Sequence, residues 1–313
     1  MSGPVLVTGA AGFAGSHVVQ ALVGRGDIVA WYHASPAPAE IERLATWEHV
    51  DLLDRDDVRA AIARVKPSAI FHCAGAPNVA HSWLDTVTPL SVNVLATHYL
   101  LDALHRARIR CRVLVPGSAT IYKASSSPLT EESPIGPSNP YAVSKLAQEA
   151  LALRAVKEDD IDVVVARPFN HTGPRQRAAF AAPNMARQIA QIERGMAEPI
   201  IRIGNLDSQR DIADVRDVAR AYVSLMDRGS SGTLYNVASG TARTMRSVLD
   251  ALVARSRVTV TVETDPALIR PSDTPILLGD ATRLRNTTGW RPQIPFEQTL
   301  DDLLDYWRSV VNA

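Results

Sequence analysis

Lysine is nearly missing from this chain of 313 residues: of 33 basic side chains only Lys66, Lys123, Lys145 and Lys157 are lysines. Cysteine is scarcer still. Cys73 and Cys111 sit in the apolar, strand-like runs AIFHCAG and CRVLV, which excludes a disulfide scaffold and favours reduced, buried thiols and a cytoplasmic location. There is no excess of charge of either sign, because 33 acidic residues cancel the 33 basic ones, so nothing draws the chain wholesale to nucleic acid or an anionic membrane. No apolar run approaches the ~18 residues of a membrane span, and MSGP enters a strand without a basic stretch, so neither a span nor a signal peptide is expected. The eight histidines show no metal-ligand spacing and no metal is expected. What remains, 46% hydrophobic and 21% charged, is ordinary for a globular protein, and the length suits one large domain carrying a smaller one.

Short apolar runs alternate with longer amphipathic ones: PVLVTGA, SHVVQALVGRG, IVAWYH, DDVRAAIARVKP, SAIFHCAG. Strands joined by helices form a parallel sheet with right-handed crossovers. The pattern continues through VNVLATHYLLDALHRARI, RVLVPGS, PYAVSKLAQEALALRAVKE and DVVVARPFN, which predicts an α/β, doubly wound parallel sheet of the Rossmann type. Beyond it, a smaller interleaved α/β substrate domain is expected over 170–210 and 239–313, with 211–238 returning to the first domain of residues 1–169. The Ser/Pro-rich stretch 124–140 reads as a loop.

VLVTGAAGFAGSH sets Gly9, Gly12 and Gly15 between the first strand and the first helix, with Phe13 and Ala14 in the helix's first turn. Such a turn brings backbone against a pyrophosphate and aims helix amides at it, so a dinucleotide cofactor is expected here. A carboxylate at the end of the second strand would bind a free ribose 2′-hydroxyl; VAWYHAS instead offers Tyr32 and His33. NADP(H) is therefore favoured over NAD(H), although no arginine stands there either. Asp51 and Leu52 are candidates for the adenine, and Ala74 and Gly75 for a strand end lying against the cofactor.

Tyr141 and Lys145 in YAVSK are four apart on a predicted helix and so share a face. A neighbouring ammonium is expected to lower the tyrosine pKa toward the working range, making Tyr141 a proton donor or acceptor at an alcohol oxygen. A third hydroxyl is expected at the preceding strand's end, where LVPGSATIY offers Ser118 and, second, Thr120.

Together the glycine turn, GSATIY and YAVSK resemble the extended short-chain dehydrogenase/reductase superfamily, nucleotide-sugar branch. RPFNHTGPRQ, PNMARQIAQIERG, IIRIGNLDSQRDIADVRDVARAY and the stretch from IRPSDTP to DDLLDYWR are most similar to GDP-4-keto-6-deoxy-mannose reductases and GDP-mannose 4,6-dehydratases. The resemblance implies that Ser118, Tyr141 and Lys145 are catalytic. It further implies that Pro168 and Asn170 lie at the junction of cofactor and sugar, that Thr120 and Asn184 meet the substrate, and that Arg202 and Asn205 flank its base or ribose. Arg210 and Arg270 would neutralise the diphosphate, with Asp273 and Arg175 as further candidates. A homodimer through helices near 91–108 and 140–157 is the family's habit.

Dehydratases of this branch carry an acidic residue beside the catalytic hydroxyl, and here Ala119 and Thr120 stand in that place. Neither is a general acid near neutral pH, which leaves hydride transfer. Lys123 replaces a usual glycine, Pro116 removes a ladder donor, and His81, Ser82 and Trp83 fall in the substrate loop. His17, His72, His98 and His105 read as structural. The leading expectation is NAD(P)H-dependent reduction of the C4 ketone of a nucleotide-linked 4-keto-6-deoxyhexose, GDP-linked by preference. A nucleotide-sugar 4-epimerase holding its NAD is the alternative, and a non-catalytic dinucleotide sensor the remote one.

Overall fold

The computed structural model describes residues 3–268 and 275–311. Its main sheet is assembled from β1 (Val5–Thr8), β2 (Ile28–Tyr32), β3 (Thr46–His49), β4 (Ala69–His72), β5 (Arg112–Pro116) and β6 (Asp162–Pro168). Helices α1 (Phe13–Ala21), α2 (Arg55–Val65), the short α3 (His81–Leu84) and α4 (Val87–Leu90), then α5 (Ala96–Ala107) and α6 (Pro140–Glu158) connect them. The second half adds β7 (Asn170–Thr172), α7 (Ala181–Glu193), β8 (Ile200–Ile203), β9 (Gln209–Asp214), α8 (Val215–Arg228), β10 (Leu234–Val237), β11 (Ala242–Thr244) and α9 (Met245–Val253). The chain closes with β12 (Thr261–Thr264), β13 (Ile276–Leu277), α10 (Thr282–Thr288) and α11 (Phe296–Val311).

The seven-stranded order is β3-β2-β1-β4-β5-β6-β10, and every pairing in it is parallel. This is the doubly wound arrangement expected from the alternating pattern, with its reversal between β1 and β4. One strand departs from strict alternation: only a 3-10 turn, Glu42–Leu44, separates β2 from β3. Both faces of the sheet are covered, so the strands are apolar on both sides. Val5, Val7, Phe71, Leu114 and Val164 pack beneath α1 and α8, while Leu6, Ile70, Val113, Val115 and Val163 pack beneath α2, α5 and α6.

β7, β9, β11 and β13 form a small second sheet, β8 pairs with β12, and α7, α9 and α11 enclose a separate apolar cluster around Met185, Ile189, Leu249 and Leu303. The stretch expected to lie wholly with this substrate part does not. Leu277, Ala281, Leu284 and Trp290 join the core of the main sheet, because α10 packs on α8 and β10.

Candidate active site

At the end of β1 the chain must turn back over β4, and Gly9 makes this possible. Its φ is +62°, and a Cβ there would fall 2.6 Å from the backbone nitrogen of Ala74. A Cβ on Gly15 would collide with the Gly9 carbonyl, so α1 can start this close to the sheet only with glycine. Helix α1 has no side-chain cap and no acidic residue in its first turn, leaving the amides of Phe13, Ala14 and Gly15 for an anion. These features fit a dinucleotide pyrophosphate.

Beside the turn lies a cleft of about 320 Å³ lined by Gly9, Gly12, Tyr32, His33, Ser35, Asp51, Leu52, Ala74, Gly75 and Arg177. Asp51 Oδ1 accepts the Leu53 amide at 2.9 Å, and the cap of α2 is Asp54, so Asp51 closes a local turn rather than that helix. Arg177 is the side chain here that the sequence did not suggest.

Helix α6 begins at Pro140 because Asn139 caps it, accepting the Ala142 amide at 2.8 Å. Tyr141 and Lys145 are buried, on the face toward the sheet. The Lys145 ammonium donates to the Pro116 carbonyl at 2.9 Å and to Gln148 Oε1 at 2.9 Å. Pro116, which lacks a ladder amide, therefore contributes its carbonyl to the site. A Cβ on Gly75 would sit 3.7 Å from Nζ, so the ammonium borders the cofactor cleft. Burial lowers the Lys145 pKa to about 8.

Behind Lys145 runs a closed polar chain. Gln148 Nε2 donates to Thr97 Oγ1 at 2.8 Å, and Thr97 spends its only proton on the Asn93 carbonyl at 2.7 Å. Thr97 must then also accept from His72 Nε2 at 2.9 Å, which puts the imidazole proton on Nε2 and leaves Nδ1 to accept from Thr8 at 2.8 Å. Burial holds the His72 pKa near 3, so the ring stays neutral. The structural reading of His72 thus becomes specific: it braces the partners of Lys145.

Ser118 follows β5 in extended conformation, 2.9 Å from Thr120 Oγ1, and its hydroxyl favours the ionised form of the Tyr141 side chain. The expected lowering of the tyrosine pKa is not found. Burial pushes Tyr141 above its ordinary value and the Ser118 contact opposes this only in part. Lys145 directs its ammonium at Pro116 and Gln148, and desolvation prevails at Tyr141.

Asn170, Asn184, Asn205 and Arg210 line one cavity of about 240 Å³, together with His171 and Gln176. His171 stacks on Phe13 at 5.7 Å, so the first residue of α1 and the sugar-side cavity share a wall. Arg202 lies apart in a neighbouring surface depression, near Glu198 and Glu263. Pro168 ends β6, where its register partner is Val237. Arg270 and Asp273 lie outside the described residues. Ser82 is buried and accepts the Tyr141 amide at 3.3 Å, whereas His81 and Trp83 are exposed. Among the described residues no group of histidine, cysteine, aspartate and glutamate could hold a metal ion.

A glycine turn opening an uncapped helix, beside a buried Ser, Tyr and Lys at the switch point of a doubly wound sheet, defines the extended short-chain dehydrogenase/reductases. The model of the GDP-mannose 4,6-dehydratase family matches residues 6–303, and the chain belongs to that family. It is 34% identical to the GDP-6-deoxy-D-mannose reductase of Pseudomonas aeruginosa, with 99% of each chain covered. It is 30% identical to the UDP-glucose 4-epimerase of Mycolicibacterium smegmatis, covering 97% of this chain and 98% of the relative. Among solved structures, RMD from Pseudomonas aeruginosa complexed with NADPH superimposes with a TM-score of 0.86 at 32% identity, covering 99% of this chain and 100% of the other.

Proposed function

We propose that this protein is an NADPH-dependent reductase that converts the C4 ketone of a GDP-linked 4-keto-6-deoxyhexose to a secondary alcohol. The observation that carries the reading is the trio Ser118, Tyr141 and Lys145, with the neutral Thr120 where a dehydratase would need an acid. A bound nicotinamide supplies the hydride. Tyr141, kept protonated by burial, gives its phenolic proton to the developing alkoxide, and Ser118 holds the same oxygen by a hydrogen bond. The carbon gains hydride and the oxygen gains a proton, so one ketone and one reduced coenzyme yield one alcohol and one oxidised coenzyme. Lys145, anchored through Pro116 and Gln148, supplies the cation that offsets the phenolate left on Tyr141 after proton transfer and would hold the cofactor ribose.

The two cavities support the division of labour: the cleft at Gly9, Gly12, Asp51, Leu52, Ala74 and Gly75 takes the dinucleotide, while Asn170, Asn184, Asn205 and Arg210 take the nucleotide sugar. Two unbridged cysteines support a reducing, cytoplasmic setting, and no described helix is long and apolar enough to cross a membrane. The test is NADPH oxidation with GDP-4-keto-6-deoxy-mannose generated in place by a dehydratase, repeated with the UDP- and dTDP-linked keto sugars. Consumption confined to the GDP sugar is expected. No consumption, with NAD retained by the purified protein, would favour the 4-epimerase, a reading supported by the similarity to a UDP-glucose 4-epimerase.

A further inference from the structure

No arginine stands at the end of β2, where a ribose 2′-phosphate would lie beyond Tyr32 and His33. The fold brings one there from a segment more than a hundred residues away. After β7 the chain is fastened to α1. Arg175, at φ +70°, donates to Ser16 at 3.1 Å and to Gln20 at 2.7 Å. It also donates to His17 Nδ1 at 3.0 Å, whose Nε2 proton goes to the Pro174 carbonyl at 3.0 Å. Two positions on, Arg177 emerges at the cofactor cleft, lining it with Gly12, His33 and Ser35.

Arg177 is exposed, and its guanidinium has no hydrogen-bond or ion-pair partner among the described residues. Among the described residues that line the cleft it is the one arginine, and the other cation at its border, Lys145, lies at Gly75 and is engaged by Pro116 and Gln148. The sole carboxylate there, Asp51, is turned to the Leu53 amide and stands 3.9 Å from the His33 ring. Among the described residues no group at the cleft therefore competes with a dianion for the guanidinium.

We infer that Arg177, with the Ser35 hydroxyl, reads the 2′-phosphate of NADPH and sets the coenzyme preference of the reductase proposed above, on which this assignment rests. A guanidinium fork suits a phosphate dianion, and it would have nothing to grip on the 2′-hydroxyl of NADH. The alternative anion in reach of this loop is the pyrophosphate, which both coenzymes carry. Selectivity between coenzymes therefore separates the two.

The experiment is coenzyme binding without substrate, followed by nucleotide fluorescence, for the wild type, Arg177→Gln and Ser35→Asp. Displacement by 2′,5′-ADP and by 5′-ADP is measured alongside. Arg177→Gln is expected to weaken NADPH and 2′,5′-ADP about tenfold to a hundredfold while moving NADH and 5′-ADP less than about twofold. Ser35→Asp is expected to weaken NADPH without weakening NADH. Equal losses for all four ligands would assign Arg177 to the pyrophosphate and overturn the inference, as would no change with NADPH. A wild type that binds neither coenzyme would instead sink the reductase reading itself.

Discussion

At the scale of single residues, the informative group is Lys145. Its pKa is about 8 in the folded chain against an ordinary value near 10.5. Between those values the unfolded chain binds more protons, so the cost of burying the ammonium is present below about pH 8 and fades as pH rises toward 10.5. Lys145→Met escapes that cost at every pH. The difference in melting temperature, variant minus wild type, is therefore expected to fall between pH 7 and pH 9.5; calorimetry showing no trend would place the charge in solvent. Tyr141→Phe should cut turnover by at least about a thousandfold while leaving NADPH affinity nearly unchanged, since only the phenolic proton is removed. Near-normal turnover would remove Tyr141 as proton donor. The positions of Ser118, Tyr141 and Lys145 were legible in the sequence because each depends on local pattern: a strand end, and one turn of helix. The direction of the tyrosine pKa was not, because desolvation is a property of the packed site, and Arg177 was not, because no spacing relates position 177 to position 35.

Elements tell a similar story. Helix α6 was readable from Pro140 to Glu158, yet its function as a brace shows only in three dimensions. One residue past Gln148, and one turn on from Lys145, Glu149 pairs with Arg167 of β6, and Arg167 also lies over the Tyr122 ring at 5.0 Å and donates to its hydroxyl at 2.7 Å. Both charges are almost fully buried. Arg167→Met should cost about 3–5 kcal/mol, because Glu149 is left charged without a partner; adding Glu149→Leu should recover most of it. Equal losses in single and double variants would show that packing, not charge, holds the helix. The second sheet escaped the sequence for a physical reason. β7 and β11 have three residues each and β13 two, too few for a period of two to register.

For the whole molecule, the conspicuous surface is apolar. Leu84, Val87, Trp83 and Val143 are 87%, 68%, 55% and 47% exposed around the start of α6, and such clustered exposed apolar side chains mark interaction surfaces. We propose that the homodimer implied by the family resemblance, through the helices near 91–108 and 140–157, extends over this patch. Trp83→Glu with Val87→Glu is expected to shift light-scattering mass from twice the chain mass to one, and an unchanged mass would move the interface elsewhere.

The seam between the two parts has a consequence for ancestry and engineering. Asp217, at the start of α8, accepts the amides of Gln293 and Ile294 at 3.0 Å each, and its carbonyl accepts Trp290 Nε1 at 3.0 Å; Asp214 holds Thr299 at 2.9 Å. One helix packed on the main sheet is thus buttoned to the last segment of the chain. If the second half reads the sugar as proposed, a new sugar specificity is not expected to survive import by a single crossover between two related genes. A viable chimera must exchange the stretches around β7 to β9 and around α9 to α11 together, while α8 and the residues that grip it stay with one parent.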